Sequence, residues 1–469
     1  MGIDPYPARF DRDRTAVEIR DRFDEFAEAG TPVSPAGRIM TIRRMGKACF
    51  AHLRDRTGTI QLYLRRDNVG EEAYNAWKRL EPGDWVGATG APFRTKTGEM
   101  SIDVSSFTVL SKSLLPLPEK WHGLTNKEIR YRRRYLDLIA NPEVVEVFRK
   151  RAALIRRTRR FLDERGFLEV ETPALQPIYG GASARPFTTH HNALDMKLYL
   201  RIADELYLKR LIVGGLEKVY EIAKDFRNEG IDRTHNPEFT QLELYEAFRD
   251  YNDMMALVED LLRELALELC GTTRIVYGGK EADLGRPWRR LSFVDALSER
   301  LGRPALETDE AELRRALARS GVEIPEDASV GGLMDKLFET WIEPGLEEPT
   351  FVIDHPKAIS PLAKERPDRP GVVERFEPFL FGIEIGNAFS ELNDPVEQRR
   401  RFEGQKRLAG VEGEEAQQMD EDFLRAVEHG MPPTGGLGLG IDRIAMILTD
   451  QPSIRDVLLF PQLRPEVPE

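Results

Sequence analysis

Hydrophobic and polar residues alternate in short segments between residues 36 and 110, a period that predicts β-strands. Three such segments come first: GRIMTIRRMG, KACFAHLRD and TIQLYLRR. A polar helical stretch, GEEAYNAWKRL, follows them, and two more alternating segments, DWVGATGAPFRT and EMSIDVSSFTVL, close the region. The pattern therefore predicts three strands, one helix and two further strands.

This order of elements is typical of the OB-fold, a five-stranded β-barrel that often binds oligonucleotides on the face of its second and third strands. Another kind of small β-barrel stays open on the pattern alone. We expect residues 1–110 to form this N-terminal domain, with a short leading helix. Residues 111–140 are expected to form a linker because they contain Pro116 and Pro118.

Residues 141–469 combine helical and strand patterns and predict a larger second domain. A long helix is expected to begin at Asn141, which can cap it, and to end at Gly166. The strand FLEVET follows, residues 250–345 predict a mainly helical insertion, and strands return from residue 375. The expected fold class is therefore α+β, with a mainly antiparallel sheet flanked by helices.

The composition is that of an ordinary water-soluble protein, with 41% hydrophobic and 32% charged residues. No stretch approaches the roughly 20 apolar residues of a transmembrane helix. The polar start, MGIDPYPARFDRDR, lacks the pattern of a signal peptide, and two cysteines are too few for a disulfide framework or a zinc site. We therefore expect a cytoplasmic protein with no membrane partner.

Charge is distributed unevenly along the chain. The formal net charge is −12, yet residues 35–110 hold twelve Lys and Arg against eight Asp and Glu, which leaves −16 for the rest. The total charge argues against a protein that coats nucleic acid generally. A basic module on an acidic body can still bind one defined nucleic acid through local charge.

The segment 218–248 predicts a hairpin whose second strand has an unusual polar face. Alternation places an aromatic ring, an amide, a carboxylate and a phenol on one side: Phe239, Gln241, Glu243 and Tyr245. These side chains make a poor core but a suitable floor for a ligand, and Arg227 at the end of the first strand can bind a phosphate. An exposed hairpin with a polar face is the alternative.

A second strand, IEIGNAFSELND, repeats this combination. Asn387, Phe389 and Glu391 share one face, and Glu377 and Glu384 precede them. The last two carboxylates could hold magnesium, an ion that takes carboxylate oxygens together with substrate phosphates. That role requires a bulge or bend near residue 386, because parity places Glu384 opposite Glu391. Surface carboxylates are the alternative.

The third informative segment is Gly-rich, GGLGLGIDRIAMIL at residues 435–448. Its glycines allow close approach to the backbone, and Arg443 lies where a helix begins. The spacing does not fit GxGxxG, and the chain has no GxxxxGK[ST]. Phosphate binding would therefore depend on arginines and magnesium, and a tightly packed Gly-rich strand is the alternative.

Together these segments resemble the signature motifs of class II aminoacyl-tRNA synthetases. The long helix, FLEVET and Pro173 look like motif 1, FRNEG through Glu243 looks like motif 2, and GLGLGIDR looks like motif 3. An N-terminal OB-fold is similar to subclass IIb, which holds the lysine, aspartate and asparagine enzymes. The individual sequence motifs are most similar to those of the bacterial-type lysyl-tRNA synthetase family, and the resemblance covers roughly residues 5–463. The motifs that carry it are MGKACF, IQLY, GGASARPF, LRIADELYLKR, FRNEGIDRTHNPEFT, EIGNAFSELND and GIDR.

The resemblance implies a ligase that uses ATP and Mg²⁺ to convert L-lysine into lysyl-adenylate, and then transfers lysine to the 3′ end of tRNA(Lys). Motif 1 implies a homodimer. The implied catalytic residues are Arg227 and Arg443, and the implied ATP-binding residues are Arg227, Glu229, His235, Phe239 and Arg443. The implied lysine-binding residues are Gly181, Glu205, Glu243, Tyr245, Asn387, Phe389, Glu391 and Gly438. Glu377 and Glu384 are implied for the metal, and Arg43, Phe50 and Gln61 for the anticodon.

The chemistry of the pocket favours lysine within the subclass, because a primary ammonium on an apolar stem suits an aromatic wall with carboxylates at its end. An aspartate enzyme would need a cationic pocket, and the two strands carry no Arg or Lys on their site faces. An aspartyl- or asparaginyl-type enzyme stays an alternative. Further alternatives are an inactive synthetase-like RNA-binding regulator, a relative that ligates lysine onto a protein, and a general OB-fold single-strand binder.

Overall fold

The computed structural model describes residues 4–118, 124–324, 328–408 and 419–465. Contacts divide the chain into an N-terminal unit, Met1–Thr125, and a C-terminal unit, Asn126–Glu469. The expected linker at 111–140 is thus divided between the two units. Its residues 119–123 lie outside the described residues, as do residues 1–3 of the expected first domain and 466–469 of the expected second domain.

The N-terminal unit contains the five-stranded barrel that the alternation predicts, closed in the order β1-β2-β3-β5-β4. Its strands are β1 (Ala36–Met45), β2 (Ala48–Arg54), β3 (Thr59–Arg65), β4 (Trp85–Arg94) and β5 (Met100–Ser111). Its helices are α1 (Ala16–Asp21), α2 (Phe23–Glu28), α3 (Arg66–Val69) and α4 (Glu71–Trp77). The leading helix is therefore two short helices, and the order of strands and helix between residues 36 and 111 is as predicted.

Alternation fixes which barrel residues point inward. Cys49, Ala51 and Leu53 of β2 are buried in the barrel core, so Phe50 and its neighbours on the other parity lie on the outer face. Trp77 at the end of α4 is fully buried, with its ring 4.9 Å from that of Phe107 in an edge-on arrangement.

The C-terminal unit combines helices with strands. Its helices are α5 (Lys127–Arg132), α6 (Arg134–Ala140), α7 (Pro142–Asp163), α8 (Glu205–Val213), α9 (Tyr251–Cys270), α10 (Phe293–Leu301), α11 (Glu310–Arg319), α12 (Val330–Trp341), α13 (Pro395–Leu408), α14 (Glu421–Glu428), α15 (Ile441–Leu448) and α16 (Ile454–Val457). Three single 3₁₀ turns lie at Ala305–Glu307, Glu343–Gly345 and Lys357–Ile359.

The strands of this unit are β6 (Leu168–Glu169), β7 (Leu175–Gln176), β8 (Thr188–His191), β9 (Met196–Leu200), β10 (Lys218–Phe226), β11 (Glu238–Ala247), β12 (Arg274–Tyr277), β13 (Lys280–Asp283), β14 (Arg289–Ser292), β15 (Thr350–Pro356), β16 (Val372–Leu380), β17 (Ile383–Glu384), β18 (Gly386–Ser390) and β19 (Thr434–Gly440). The region 250–345, for which the sequence predicts a mainly helical insertion, holds the helices α9 to α12 together with β12, β13 and β14.

One large sheet dominates the unit, in the order β14-β15-β16-β18-β19-β11-β10-β6, with β17 paired to β16. Its neighbours are antiparallel except at the two edges, where β6 runs parallel to β10 and β14 runs parallel to β15. The expected α+β class with a mainly antiparallel sheet is therefore confirmed.

The two faces of this sheet differ in chemistry. Leu242, Leu244, Leu437 and Leu439 point to one face, where they join a hydrophobic core with residues of α7, α9 and α15. The residues of opposite parity point to the other face, which leaves their polar side chains free to line a cavity.

The long helix α7 begins and ends near the predicted residues, but its cap differs. The Asn141 side chain makes no capping hydrogen bond to the helix; its Nδ2 instead donates to Asp137 Oδ1 at 2.7 Å. Gly166 lies beyond the helix with a φ of +78°, a conformation that favours glycine. In the part of the chain that the structure describes, no helix is long and apolar enough to cross a membrane.

Asp442, in the first turn of α15, ties three elements of the unit together. Its carboxylate is 2% exposed, accepts a hydrogen bond from the Thr240 backbone N at 2.8 Å, and forms an ion pair with Arg151 of α7. The residue therefore fixes α7 and the start of β11 against the helix that carries Arg443.

We expect Asp442→Ala to lower the free energy of unfolding by about 2–4 kcal/mol, because it leaves the partly buried Arg151 without its counter-charge and the Thr240 backbone N–H without its acceptor. The matched control is Asp422→Ala, since the Asp422 carboxylate is 77% exposed and 3.5 Å from its arginine, Arg210. That change should cost at most about 1 kcal/mol. Urea unfolding followed by circular dichroism measures the free energy of unfolding of both variants. Equal decreases for the two variants would contradict the structural role of Asp442.

Candidate active site

A cavity of about 1020 Å³ opens on the polar face of the large sheet. All fifteen site residues predicted for the second domain line it: Gly181, Glu205, Arg227, Glu229, His235, Phe239, Glu243, Tyr245, Glu377, Glu384, Asn387, Phe389, Glu391, Gly438 and Arg443. The structure thus brings together side chains from motifs that lie far apart in the sequence. Their individual roles stay predictions.

The Gly-rich strand β19 lies between β11 and β18 and makes room for the side chains of its neighbours. A Cβ at Gly436 would stand 2.0 Å from Glu391 Oε1 and 2.6 Å from Tyr245 Cε1. A Cβ at Gly438 would stand 2.9 Å from Gln241 Nε2. These two glycines therefore let polar groups of β11 and of the segment after β18 meet on the cavity floor.

Glu243 is the central carboxylate of this floor. It is 5% exposed, and it accepts hydrogen bonds from Gln241 Nε2 at 2.7 Å and from the Tyr245 hydroxyl at 3.0 Å. Burial, followed by the charge of Glu205, raises the pKa of Glu243 well above its ordinary value. The group is therefore poised to gain a cationic partner.

Lys209, in the second turn of α8, places a resident ammonium in the pocket. Its Nζ forms ion pairs with Glu205 and with Glu391, and the side chain is 1% exposed. The ammonium also lies 5.3 Å from the ring centroid of Phe389 and 6.0 Å from that of Tyr245. The two strands lack cations on their site faces, as predicted, but the helix supplies one.

Burial alone would lower the pKa of Lys209, but the charges of Glu205 and Glu391 outweigh it, so its pKa is raised and the ammonium stays charged. Lys209 contacts Oε1 of Glu205 and Oε2 of Glu391. The second oxygen of Glu205 faces Gly181, whose φ of +89° places its backbone against Ala203 and Glu205. Each carboxylate therefore offers one oxygen to a further cation.

Arg375 of β16 is a second cation that the sequence analysis missed. Its guanidinium donates to Asn387 Oδ1 at 2.9 Å and to Glu377 Oε1 at 2.6 Å, and it also donates to the carbonyl oxygen of Ile359. The arginine therefore fixes the amide of Asn387 with its nitrogen turned away from Arg375.

The bulge that the magnesium role requires is present. Four residues from Phe376 to Phe379 of β16 lie opposite five residues from Ala388 back to Glu384. The extra residue reverses the parity, so Glu384 shares a face with Glu377. Both carboxylates line the cavity, and burial together with the charge of Glu384 raises the pKa of Glu377 to about 8, against the opposing effect of Arg375.

The residues predicted for ATP form a connected group at the mouth of the hairpin β10–β11. The Arg227 guanidinium lies over the Phe239 ring at 5.0 Å from its centroid. Arg443 donates to Glu384 Oε2 at 3.1 Å and to His235 Nε2 at 3.0 Å, while His235 Nδ1 contacts Asp232 Oδ2 at 2.8 Å. His235 is thus the tautomer with its proton on Nδ1, and Glu229 is exposed beside this group.

In the N-terminal unit the predicted residues share the outer face of the barrel. Arg43 pairs with Phe50 across β1 and β2, and Phe50 stacks on Tyr63 of β3 with ring centroids 4.7 Å apart. Gln61 is 7% exposed and accepts a hydrogen bond from the Ser101 hydroxyl at 2.7 Å. The aromatic surface extends to Phe93, whose ring centroid lies 5.5 Å from that of Tyr63. The alternating pattern of β3 and β4 is the sequence signal that places Tyr63 and Phe93 on the outer face.

Comparisons with known proteins agree with this architecture. Residues 126–464 match the family model described as tRNA synthetases class II (D, K and N), and residues 33–110 match an OB-fold nucleic acid binding domain. The chain is similar to the lysine–tRNA ligase of Roseiflexus castenholzii, with 58% identity over 99% of this chain and 96% of that protein. It is 55% identical to the lysine–tRNA ligase of Moorella thermoacetica and 53% identical to that of Thermotoga maritima, over 99% of this chain and 95% and 93% of theirs. The chain therefore belongs to the class II tRNA synthetases of the D, K and N group.

Proposed function

We propose that this chain is a lysine–tRNA ligase, which activates L-lysine with ATP and transfers it to tRNA(Lys). The observation that carries the proposal is the charge of the pocket beneath the Gly-rich strand. The pocket holds the carboxylates of Glu205, Glu243 and Glu391 and one resident ammonium, that of Lys209, which pairs with Glu205 and Glu391 near the rings of Tyr245 and Phe389. The ionised group has a net charge of −2, which the two ammonium groups of free lysine balance.

The amino acid is proposed to lie between the two carboxylates that Lys209 joins. Its α-ammonium would bind Glu205 beside Gly181, and its side-chain ammonium would bind Glu243 and Glu391. Tyr245 and Phe389 would pack on the aliphatic stem, while Asn387 and Gly438 border the pocket. A substrate with a single ammonium leaves one of these buried carboxylates without a partner, which is costly.

ATP is proposed to lie at the mouth of the hairpin. Arg227 would bind the α-phosphate, Phe239 would stack on adenine, and Arg443 would reach the terminal phosphate, with Glu229 and His235 beside the nucleotide. Magnesium, when bound, would neutralise phosphate charge, and Glu377 and Glu384 fit it because they present oxygen donors on one face.

The chemistry proposed here uses positioning and charge and needs no covalent enzyme intermediate. The lysine carboxylate attacks the α-phosphorus of ATP, the bond to the leaving pyrophosphate breaks, and Arg227 and Arg443 stabilise the negative charge that develops. The terminal ribose hydroxyl of tRNA then attacks the adenylate carbonyl and releases AMP.

On the barrel, Phe50 is proposed to stack on an anticodon base and Gln61 to bind a base edge, with Arg43 near the phosphates. The half-buried aromatic rings of Phe50, Tyr63 and Phe93 on the outer face of the barrel support this role, because such rings offer a surface for stacking. A homodimer is also proposed from the motif 1 resemblance, and the segment after α7 exposes Leu168 and Leu175. The cytoplasmic location stays a prediction.

The direct test is ATP–pyrophosphate exchange with each of the twenty amino acids, without tRNA. We expect lysine alone to drive exchange. Exchange with aspartate or asparagine would agree with the family but would contradict the proposed lysine specificity of the pocket. No exchange with any amino acid would favour an inactive RNA-binding relative.

We expect Lys209→Met to raise the KM for lysine by about 10–100-fold, with a smaller effect on kcat. Without the ammonium, two buried carboxylates repel each other and take up protons, so charge-assisted hydrogen bonds of about 1.5–3 kcal/mol to the substrate are lost. Lys364→Met is the control, since Lys364 is exposed and, in the described residues, its side chain is bonded only to Asn393 Oδ1. A lower KM would mean that Lys209 competes with the substrate.

We expect Phe50→Ala to reduce the kcat/KM for tRNA charging by about 5–150-fold, from the roughly 1–3 kcal/mol of a base–aromatic stack. Lysine-dependent pyrophosphate exchange should be unchanged, because Phe50 lies in the other unit of the chain. The control is Trp85→Ala, an exposed ring on the β1–β4 side of the barrel. Loss of both activities would assign Phe50 to folding.

A further inference from the structure

Three buried carboxylates meet beside the cavity, between α8 and the polar face of the sheet, and the proposed reaction uses only one of them. Asp204 precedes α8, Asp225 lies in β10, and Glu243 lies in β11. One oxygen of each lies within 4.8 Å of the others. Asp204 and Asp225 are completely buried, and Glu243 is 5% exposed.

Asp204 has no hydrogen-bond donor for either of its carboxylate oxygens in the described part of the chain. It precedes a helix, but its side chain does not cap that helix. Asp225 also accepts no hydrogen bond there, and its one cationic contact is Arg201 Nε at 3.3 Å. Arg201 is shared, because its Nη1 forms an ion pair with Glu221 at 2.7 Å.

The charges of this cluster therefore do not balance. Four carboxylates, those of Asp204, Asp225, Glu221 and Glu243, share one cation at ion-pair distance in the described residues, the guanidinium of Arg201. Arg227 and Lys209 act on Asp225 and Glu243 only from a greater distance, and Lys209 is already paired with Glu205 and Glu391. A buried ionised carboxylate without a partner is strongly unfavourable. The cluster needs further positive charge.

The amino acid substrate cannot supply that charge directly. Asp204 and Asp225 lie outside the lining of the cavity, and only Glu243 faces both the cavity and the cluster. Gln241 and Tyr245 hold Glu243 from the cavity side. A cation that contacts all three carboxylates must therefore be small and lie beside the cavity, between α8 and the sheet.

We propose that Asp204, Asp225 and Glu243 bind a divalent metal ion of the Mg²⁺ or Ca²⁺ type, separate from the metal that accompanies ATP. Carboxylate oxygens are the ligands that such hard cations take, and the cluster has no sulfur or imidazole ligand that would favour zinc or copper. The three ligand oxygens lie within 4.8 Å of one another, so a small inward shift of the side chains brings all of them within the bond lengths of one ion, about 2.3–2.6 Å for Ca²⁺ and about 2.0–2.1 Å for Mg²⁺.

Manganese binding to the full-length protein without ATP or lysine tests the proposal. The decrease of the free Mn²⁺ signal in electron paramagnetic resonance counts the bound ions. We expect one Mn²⁺ per chain more in the wild type than in Asp204→Asn, and we expect Glu384→Gln to keep that ion because Glu384 belongs to the other proposed metal site. Displacement by added Mg²⁺ or by added Ca²⁺ then identifies the preferred ion.

Thermal unfolding provides a second measurement that does not depend on activity. Mn²⁺ should raise the Tm of the wild type by at least about 2 °C and should not raise that of Asp204→Asn. The matched control is Asp195→Asn, because the Asp195 side chain is 94% exposed, and it should respond as the wild type does.

Three results would overturn the site. One is equal Mn²⁺ binding by the wild type and a folded Asp204→Asn variant. Another is loss of the ion in Glu384→Gln with retention in Asp204→Asn. The third is a wild type that binds no Mn²⁺ without ATP, which would mean that the cluster is neutralised by protons. Circular dichroism confirms that each variant is folded.

Discussion

The neutralisation of buried carboxylates on the floor of the cavity is the constraint on which the structure of the C-terminal unit depends. Glu205, Glu243 and Glu391 are each at most 6% exposed, and burial raises the pKa of all three. Such groups stay ionised only where a cation or several donors meet them. Lys209 meets two of them, and the Tyr245 hydroxyl and Gln241 amide meet the third.

The sheet provides this arrangement through period-two alternation and through the two glycines, Gly436 and Gly438, on the cavity face of β19. Leu242 and Leu244 of β11 pack in one core with residues of α7, α9 and α15, so the odd-numbered Gln241, Glu243 and Tyr245 face the cavity. Gly436 and Gly438 leave the space that Glu391, Tyr245 and Gln241 occupy. The Gly-rich strand therefore leaves space for the side chains of the neighbouring strands, and it acts on a ligand mainly through those side chains.

Much of the fold could be predicted from the sequence, because alternation and turn residues are local signals. The barrel order, the hairpin β10–β11 and the helix α7 all follow from such patterns. The bulge before β18 could be predicted as well, since Glu384 and Glu377 can share a face only if the parity changes between Glu384 and Ala388.

The residues that were missed depend on tertiary packing. Lys209 follows Glu205 by four positions, a spacing that is common for ion pairs on the surface of a helix. Nothing local shows that α8 is buried with this pair against Glu391. Asp204 and Asp225 likewise resemble solvated carboxylates next to a helix start and a strand end, and only the packing of α8 against β10 and β11 buries them.

Lys209 also explains how the pocket can hold enough negative charge to bind the two ammonium groups of lysine and still be stable when no lysine is bound. The ammonium takes one oxygen from Glu205 and one from Glu391, so each carboxylate is partly neutralised before any substrate arrives. The remaining oxygens lie toward Gly181 and Gly436, at positions where an added Cβ would contact the same carboxylates. A ligand must therefore bring positive charge to both places at once. Lysine does so through its two ends, whereas aspartate brings one ammonium and an additional carboxylate, which the buried acidic floor repels.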